Sequence, residues 1–242
     1  HFLLIASSHY DPEEGASALQ SLAGRVDGLL IMTPRLQADA LTEGVDLNVP
    51  IVFVNSEIGE RPYDLFTIEN REGAARVVSH LIEQGHTRIA AIAGPAGSTD
   101  VEGRLAGYHD ALEQHGLSPE AIVEGAFTQE SGYEAGKQIV GRAELPDAVF
   151  ACNDYMAIGA MAAFREAGVR VPHDVAVAGF DDIANAQYAN PPLTTVHVPV
   201  YEIGYRAGER LVQRVQSDQP LDAERFRLSH ELKVRASTTG TP

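Results

Sequence analysis

Three apolar, strand-like runs of this chain end on amides or carboxylates. "IVFVNSE" delivers Asn55 at its exit, "AVFACNDY" delivers Asn153 and Asp154, and "VAVAGFDD" stops on Asp181 and Asp182. A fourth run, "RIAAIAGPAGSTD", leads into a helix-like segment that carries Arg104 near its start. Carboxylates accept hydrogen bonds, guanidinium groups donate them, and side-chain amides do both. Gathered at one rim, such groups suit a ligand with several hydroxyls, a sugar or another polyol. Phe127, in the polar loop of "EGAFTQESGYEAG", offers an aromatic face for stacking.

Each residue also has a plainer role open to it. Asn153, Asp154 and Asp182 are favoured N-caps for the helices that follow them. Arg104 can be a solvated helix residue and Phe127 a core ring. Adjacent residues leaving a strand point to opposite sides, so Asp181 and Asp182 do not face one another as an acid/base pair. Asp154 and Asp181, from separate strand ends, could in principle converge on a glycosidic bond, but nothing in the sequence demands that chemistry. No enzyme activity is expected.

No metal or cofactor is expected either. The nine histidines are scattered, H-E-x-x-H is absent, and Cys152 has no partner at ligand spacing. "SGYEAGKQ" lacks the spacing of a phosphate loop, and Gln138 stands where Ser or Thr would follow its lysine. Cys152 sits inside an apolar run and reads as a buried structural thiol.

The elements that must position these residues alternate along the chain. Strand candidates are 2–7, 28–32, 51–55, 88–94, 148–153 and 175–180, continuous apolar runs of the kind buried on both faces of a parallel sheet. Between them lie segments with helical periodicity. In 70–86, Ala74, Val77, Val78, Leu81 and Ile82 share one face, and Gly85 supplies a stop. In 100–116, Val101, Leu105, Tyr108 and Leu112 do the same, with Gly116 as the stop. Segments 153–168 and 200–216 behave similarly. Strand and helix in repeated alternation predict an α/β fold with doubly wound parallel sheets, whose ligands bind beyond the carboxyl ends of the strands.

Composition narrows the function. The chain has 242 residues, 44% of them hydrophobic, enough for a sizeable core. Thirty-four acidic against eighteen basic residues give a formal net charge of −16, without any Lys/Arg-rich run. Such a surface repels phosphate backbones, so the chain is not expected to grip nucleic acid by itself. No apolar run spans a bilayer and no secretory leader is visible. With a single cysteine, a soluble protein of the cytoplasm is expected, with no membrane partner.

"VDGLLIM", "GHTRIAAIAGP", "GRLAGYHDAL", "PDAVFACNDYMAIGAMAAFREAGVRVPHDVAVAGFDD" and "PPLTTVHVP" together resemble successive landmarks of the lactose-repressor (LacI/GalR) family of bacterial transcription regulators. The resemblance runs along nearly the whole chain, in order. It implies the periplasmic binding protein-like I fold: two α/β subdomains joined by three crossovers, with a small molecule held between them. The first subdomain would be 1–69 plus 198–228, the second 70–197 plus 229–242, including a final strand around 229–237. The family's ligand positions fall on Asn55, Arg104, Phe127, Asn153 and Asp181.

By the same resemblance, the family's N-terminal helix-turn-helix and hinge, and the first strand and helix of the effector domain, are expected to be missing from the residues given. The implied function is the effector-binding and dimerising core of a sugar-responsive regulator. It would be a homodimer that meets operator DNA only through the missing N-terminal domain. A sugar-binding protein of a transport system, with the same fold, is the alternative.

Overall fold

The computed structural model describes residues 4–6, 12–22, 24–33, 49–56, 58–219 and 221–239. The chain separates into two compact units, His1–Ile68 with Pro199–Leu228 and Glu69–Val198 with Ser229–Pro242, so the backbone passes from one to the other three times.

Unit 1 is built on a parallel sheet of four strands in the order β1-β2-β3-β9: β1 (Leu29–Met32), β2 (Ile51–Val54), β3 (Asp64–Ile68) and β9 (Arg225–Leu228). Its core gathers Leu19 of α1 (Pro12–Leu22) with Leu29, Ile31, Ile51, Phe53, Ile58 and Leu65. Helix α6 (Val200–Gln216) approaches so closely that a Cβ on Gly28 would lie 2.9 Å from Leu211. β3 begins on a buried acid, Asp64, which accepts from Arg210 at 2.9 Å, from Arg214, and from the Glu224 backbone at 2.8 Å. Two guanidiniums hold its carboxyl below the usual range despite the opposing penalty of burial.

Unit 2 holds a six-stranded sheet in the order β10-β8-β7-β6-β4-β5. Its strands are β4 (Ile89–Ala93), β5 (Ala121–Glu124), β6 (Ala148–Ala151), β7 (Ala176–Asp181), β8 (Thr194–His197) and β10 (Glu231–Lys233). All pair in parallel except β10, which closes the edge antiparallel to β8. β4 is followed in sequence by its neighbour on one side, β5, and then by its neighbour on the other, β6. The crevice between β4 and β6 is therefore the topological switch point, where open α/β sheets bind ligands.

Helices cover both faces of this sheet. A Cβ on Gly73 of α2 (Asn70–Glu83) would meet Phe180, whereas one on Gly179 would meet Asp154 of α5 (Asp154–Glu166). Gly179 and Phe180 are successive strand residues and point to opposite faces, so α2 and α5 do too. α2 pairs with α3 (Thr99–Gln114), and α5 with α4 (Gln129–Val140). Bare glycines permit both contacts: a Cβ on Gly107 would stand 2.0 Å from the Arg71 carbonyl, and one on Gly159 2.1 Å from that of Gln129.

The expected helix faces are in place. Ala74, Val77, Val78 and Leu81 are fully buried, as are Tyr108 and Leu112 to within 1%, while Ile82 and Leu105 are half-buried. Gly85 and Gly116 close their helices with φ of 94° and 68°. Five expected strands coincide with β1, β2, β4, β6 and β7. Half of the strand expected over 2–7 lies outside the described residues, and Leu4, Ile5 and Ala6 carry no regular structure. Strands β3, β5, β8 and β9 escaped the apolar-run criterion because polar residues interrupt them. β5 alternates half-buried and exposed positions at the sheet edge, and β9 (RFRL) alternates charge with apolar side chains.

Candidate ligand-binding site at the strand exits of unit 2

Four non-glycine residues among those described have positive φ: Asn55 (48°), Phe127 (60°), Asp181 (107°) and Asp182 (54°). Non-glycine side chains adopt this region at an energetic cost, and such residues concentrate at functional sites. Three of the four are residues the sequence proposed for ligand contact.

Arg104 is the centre of the site. It lies on α3 and is 4% exposed, so the solvated-helix reading does not hold. Its Nε donates to Asn70 Oδ1 at 2.9 Å, and Nη1 donates to the Cys152 carbonyl at 2.5 Å. Nη2 lies 2.9 Å from Asp181 Oδ1, and Cζ sits 3.9 Å from the centroid of the Phe180 ring. Regular alternation would send Phe180 and Asp181 to opposite faces; the positive φ of Asp181 breaks it, and both side chains meet one guanidinium.

Asp181 is the ionic partner. Burial raises its carboxyl pKa, and the Arg104 guanidinium opposes that shift. Its side chain remains 29% exposed beside that contact. The acid is thus held by Arg104 and still partly open to a ligand.

Asn153 caps α5 by accepting from Met156 N at 2.9 Å, as the capping alternative proposed. Its Nδ2 donates to the Phe127 carbonyl at 3.1 Å, so the same amide ties the β6 exit to the Phe127 loop. That loop is closed below by Thr128, which caps α4 through Ser131 N. The half-buried Phe127 ring lies against Gly94 at the β4 exit, where a Cβ would stand 2.6 Å from Cε1 and Cζ. Arg104, Phe127, Asn153 and Asp181 therefore converge on the exits of β4, β6 and β7, around the switch point.

Asn55 belongs to unit 1. It leaves β2 nearly buried, and its backbone N–H donates to the Phe66 carbonyl at 2.7 Å.

The remaining acids brace the fold. Asp154 is fully buried and accepts from Thr195 Oγ1 at 2.6 Å and Ile183 N at 2.9 Å; burial pushes its pKa up to about 7. It is neither the cap of α5 nor open to a ligand, and it cannot face Asp181 across a bond. Asp182 accepts from His197 Nδ1 at 3.0 Å and Arg235 Nη2 at 2.7 Å, tying the β7 exit to β8 and to the segment before α7 (Ala236–Thr239). Cys152 is buried and its thiol is pushed up to about 12, as befits a structural residue.

Asn70 and Asp100 were not foreseen. Asn70 Nδ2 donates to Asp100 Oδ1 at 2.7 Å while its Oδ1 accepts from Arg104. The available signal was the spacing of Asp100 and Arg104, four apart and so on one face of a helix. Among the described residues no group of three or more His, Cys, Asp or Glu is placed to hold a metal, and no helix is long and apolar enough to cross a membrane.

Comparison with known proteins gives this geometry its context. Residues 78–238 match the periplasmic binding protein-like domain family. The HTH-type transcriptional repressor PurR of Haemophilus influenzae (strain PittEE) is 34% identical over 241 residues, 97% of this chain and 71% of PurR. This chain belongs to the LacI family of transcription regulators. Two solved LacI-family structures agree. A complex of the transcriptional regulator CelR with cellobiose is 36% identical with a TM-score of 0.84, over 93% of this chain and 70% of that one. The lac repressor dimer bound to operator and the anti-inducer ONPF is 33% identical with a TM-score of 0.82, over 94% and 79%. The chain is the effector-binding core of such a regulator.

Proposed function

We propose that the effector is a small polyhydroxylated molecule, a sugar or related polyol, and that Arg104, Phe127, Asn153 and Asp181 of unit 2 bind it. The observation that carries this reading is the state of Asp181. Arg104 neutralises and orients its carboxylate, while 29% of the acid's side chain stays exposed. An acceptor fixed in advance loses little freedom on binding a hydroxyl, and a charge-assisted bond of that kind is worth about 1.5–3 kcal/mol. The Phe127 ring supplies the apolar face on which the CH surface of a sugar stacks.

Binding rather than turnover suits the site, because Asp154, the other acid once available for general acid/base work, is buried and fully engaged. In the proposed mechanism, a ligand that binds one conformation of the regulator more tightly shifts the population toward it, and operator affinity changes by the same coupling free energy. The regulator acts in the cytoplasm as a homodimer, as the lac repressor bound to operator is a dimer.

Thermal-shift screening against sugars, nucleosides and purines tests the reading, since a ligand of the folded state raises the melting temperature in proportion to the logarithm of its concentration over Kd. A hit that is lost in Asp181→Asn supports it. A hit of unchanged affinity in that variant removes Asp181 from the site.

A further inference from the structure

Three contacts fix the guanidinium of Arg104 at its edges, and the ring of Phe180 underlies it. One edge contact is the Asp181 carboxylate itself, and another is a backbone carbonyl, at Cys152. The third is the side chain of Asn70, the first residue of α2 and 8% exposed. From the Cys152 carbonyl alone, the guanidinium is held at one nitrogen and can swing Nη2 away from Asp181. The Asn70 carbonyl, 2.9 Å from Nε, removes that freedom.

We propose that Asn70 is a positioning residue of the effector site: placed between Arg104 and Asp100, its amide holds the guanidinium against Asp181. The inference rests on the assignment of Arg104 and Asp181 to effector binding.

An amide suits this place for a chemical reason. One neighbour, Arg104, only donates; the other, Asp100, is a carboxylate that only accepts. Asn70 answers both, with its oxygen to Arg104 and its nitrogen to Asp100 Oδ1 at 2.7 Å. Flipping the amide would set donor against donor and acceptor against acceptor, so the contacts dictate its orientation. A carboxylate here would repel Asp100, and an aliphatic side chain would satisfy neither partner. Space for the arrangement comes from Gly103, whose missing Cβ would stand 3.0 Å from the Asn70 Cβ.

The test reads Arg104 directly and does not require a known effector. In ¹⁵N-labelled protein, the Nε–H signal that disappears in Arg104→Lys is assigned to Arg104, and its exchange with solvent is measured. In Asn70→Leu, exchange is expected to accelerate by about tenfold or more, the loss of one hydrogen bond to a charged group. Asn70→Asp alone is expected to lower the melting temperature. Asn70→Asp combined with Asp100→Asn, which exchanges amide and carboxylate at constant charge, is expected to restore both stability and protection.

Cellobiose, ribose and adenine are titrated in parallel. Whichever binds the wild-type chain is expected to bind Asn70→Leu about tenfold more weakly and the double variant nearly normally. If none binds, the effector assignment fails for these compounds, while Nε–H exchange still decides the role of Asn70. Protection within twofold of wild type in folded Asn70→Leu overturns the proposal. So does a folded double variant that stays unprotected, or loss of folding in both variants, which would assign Asn70 to folding alone.

Discussion

Asp181 Oδ1 lies 2.9 Å from Nη2 of Arg104, which makes the two side chains a single neutral unit at the exit of β7. Neither is readily replaced without the other. Arg104 is 95% buried as a side chain, and a buried cation stripped of its anion is costly, whereas the intact pair adds little net stability. The pair is better explained by what it presents to a ligand than by what it contributes to folding.

Asp181→Asn keeps the shape of the acid and removes its charge. Effector affinity is expected to fall by about 1.5–3 kcal/mol, roughly ten- to more than a hundredfold, because a charge-assisted bond becomes a neutral one or is lost. Asp181→Ala is expected to abolish detectable binding and to lower the unfolding free energy as well, by up to about 3–5 kcal/mol for an unpaired Arg104. Isothermal calorimetry with a screened effector, beside a denaturant melt, separates the two effects. Equal affinity for wild type and Asp181→Asn would remove the acid from the site.

A methyl group at Gly94 tests the placement of Phe127. The Cβ of Gly94→Ala would stand 2.6 Å from the ring and 2.6 Å from Val101 Cγ2, so the ring must leave its position. Overpacking of this kind costs about 1–3 kcal/mol, and effector affinity is expected to drop with it. Phe127→Ala should partly relieve the strain, so that the double variant is less destabilised than the sum of the single changes. Additive losses in a denaturant-unfolding cycle would mean that the ring and Gly94 do not meet.

The sequence made the site legible where chemistry coincided with strand ends. Asn153 and Asp181 follow continuous apolar runs whose strands are buried in unit 2, and the rule that open sheets bind at their carboxyl edges led directly to them. Arg104 was legible as a position, near the start of a helix, but its burial was not, because that depends on Phe180 lying beneath it. Asn70 was invisible because its role arises from two partners more than 29 residues away, Asp100 and Arg104. Asp154 misled in the same way: its sequence neighbourhood suggests a cap or a ligand contact, and only the approach of Thr195 and Ile183 shows a brace. Periodicity reports faces and ends of elements; it is silent on which side chains from distant elements meet.

Asp154 also sets a pH dependence. Burial raises its pKa to about 7, above the ~3.9 of an unfolded aspartate, so the folded chain binds the extra proton between these values. Its contribution to stability is therefore present in full below about pH 4 and is lost as pH rises toward and through 7. Asp154→Asn, which cannot ionise, is expected to flatten that part of the profile, with Ile183 N still able to donate to the amide oxygen. Urea melts of both proteins between pH 5 and 8 check this, and an unchanged slope in the variant would assign the dependence elsewhere.

Asp64 should produce the opposite slope. Its carboxyl is held below the usual range because Arg210 and Arg214 donate to it, so folding favours the ionised form. That contribution is present above the unfolded pKa of ~3.9 and is lost as pH falls through the lower folded value. Replacing Asp64 by Ala leaves two guanidiniums, 12% and 15% exposed, facing each other without their common anion. A loss of about 3–5 kcal/mol is expected, concentrated in unit 1, because β3 and α6 are joined through this acid. Hydrogen exchange resolves the two units: protection should fall at β2, β3 and β9 and persist at β4, β6 and β7. Uniform loss across both units would mean that they unfold as one cooperative block and that Asp64 stabilises the whole chain rather than its own sheet.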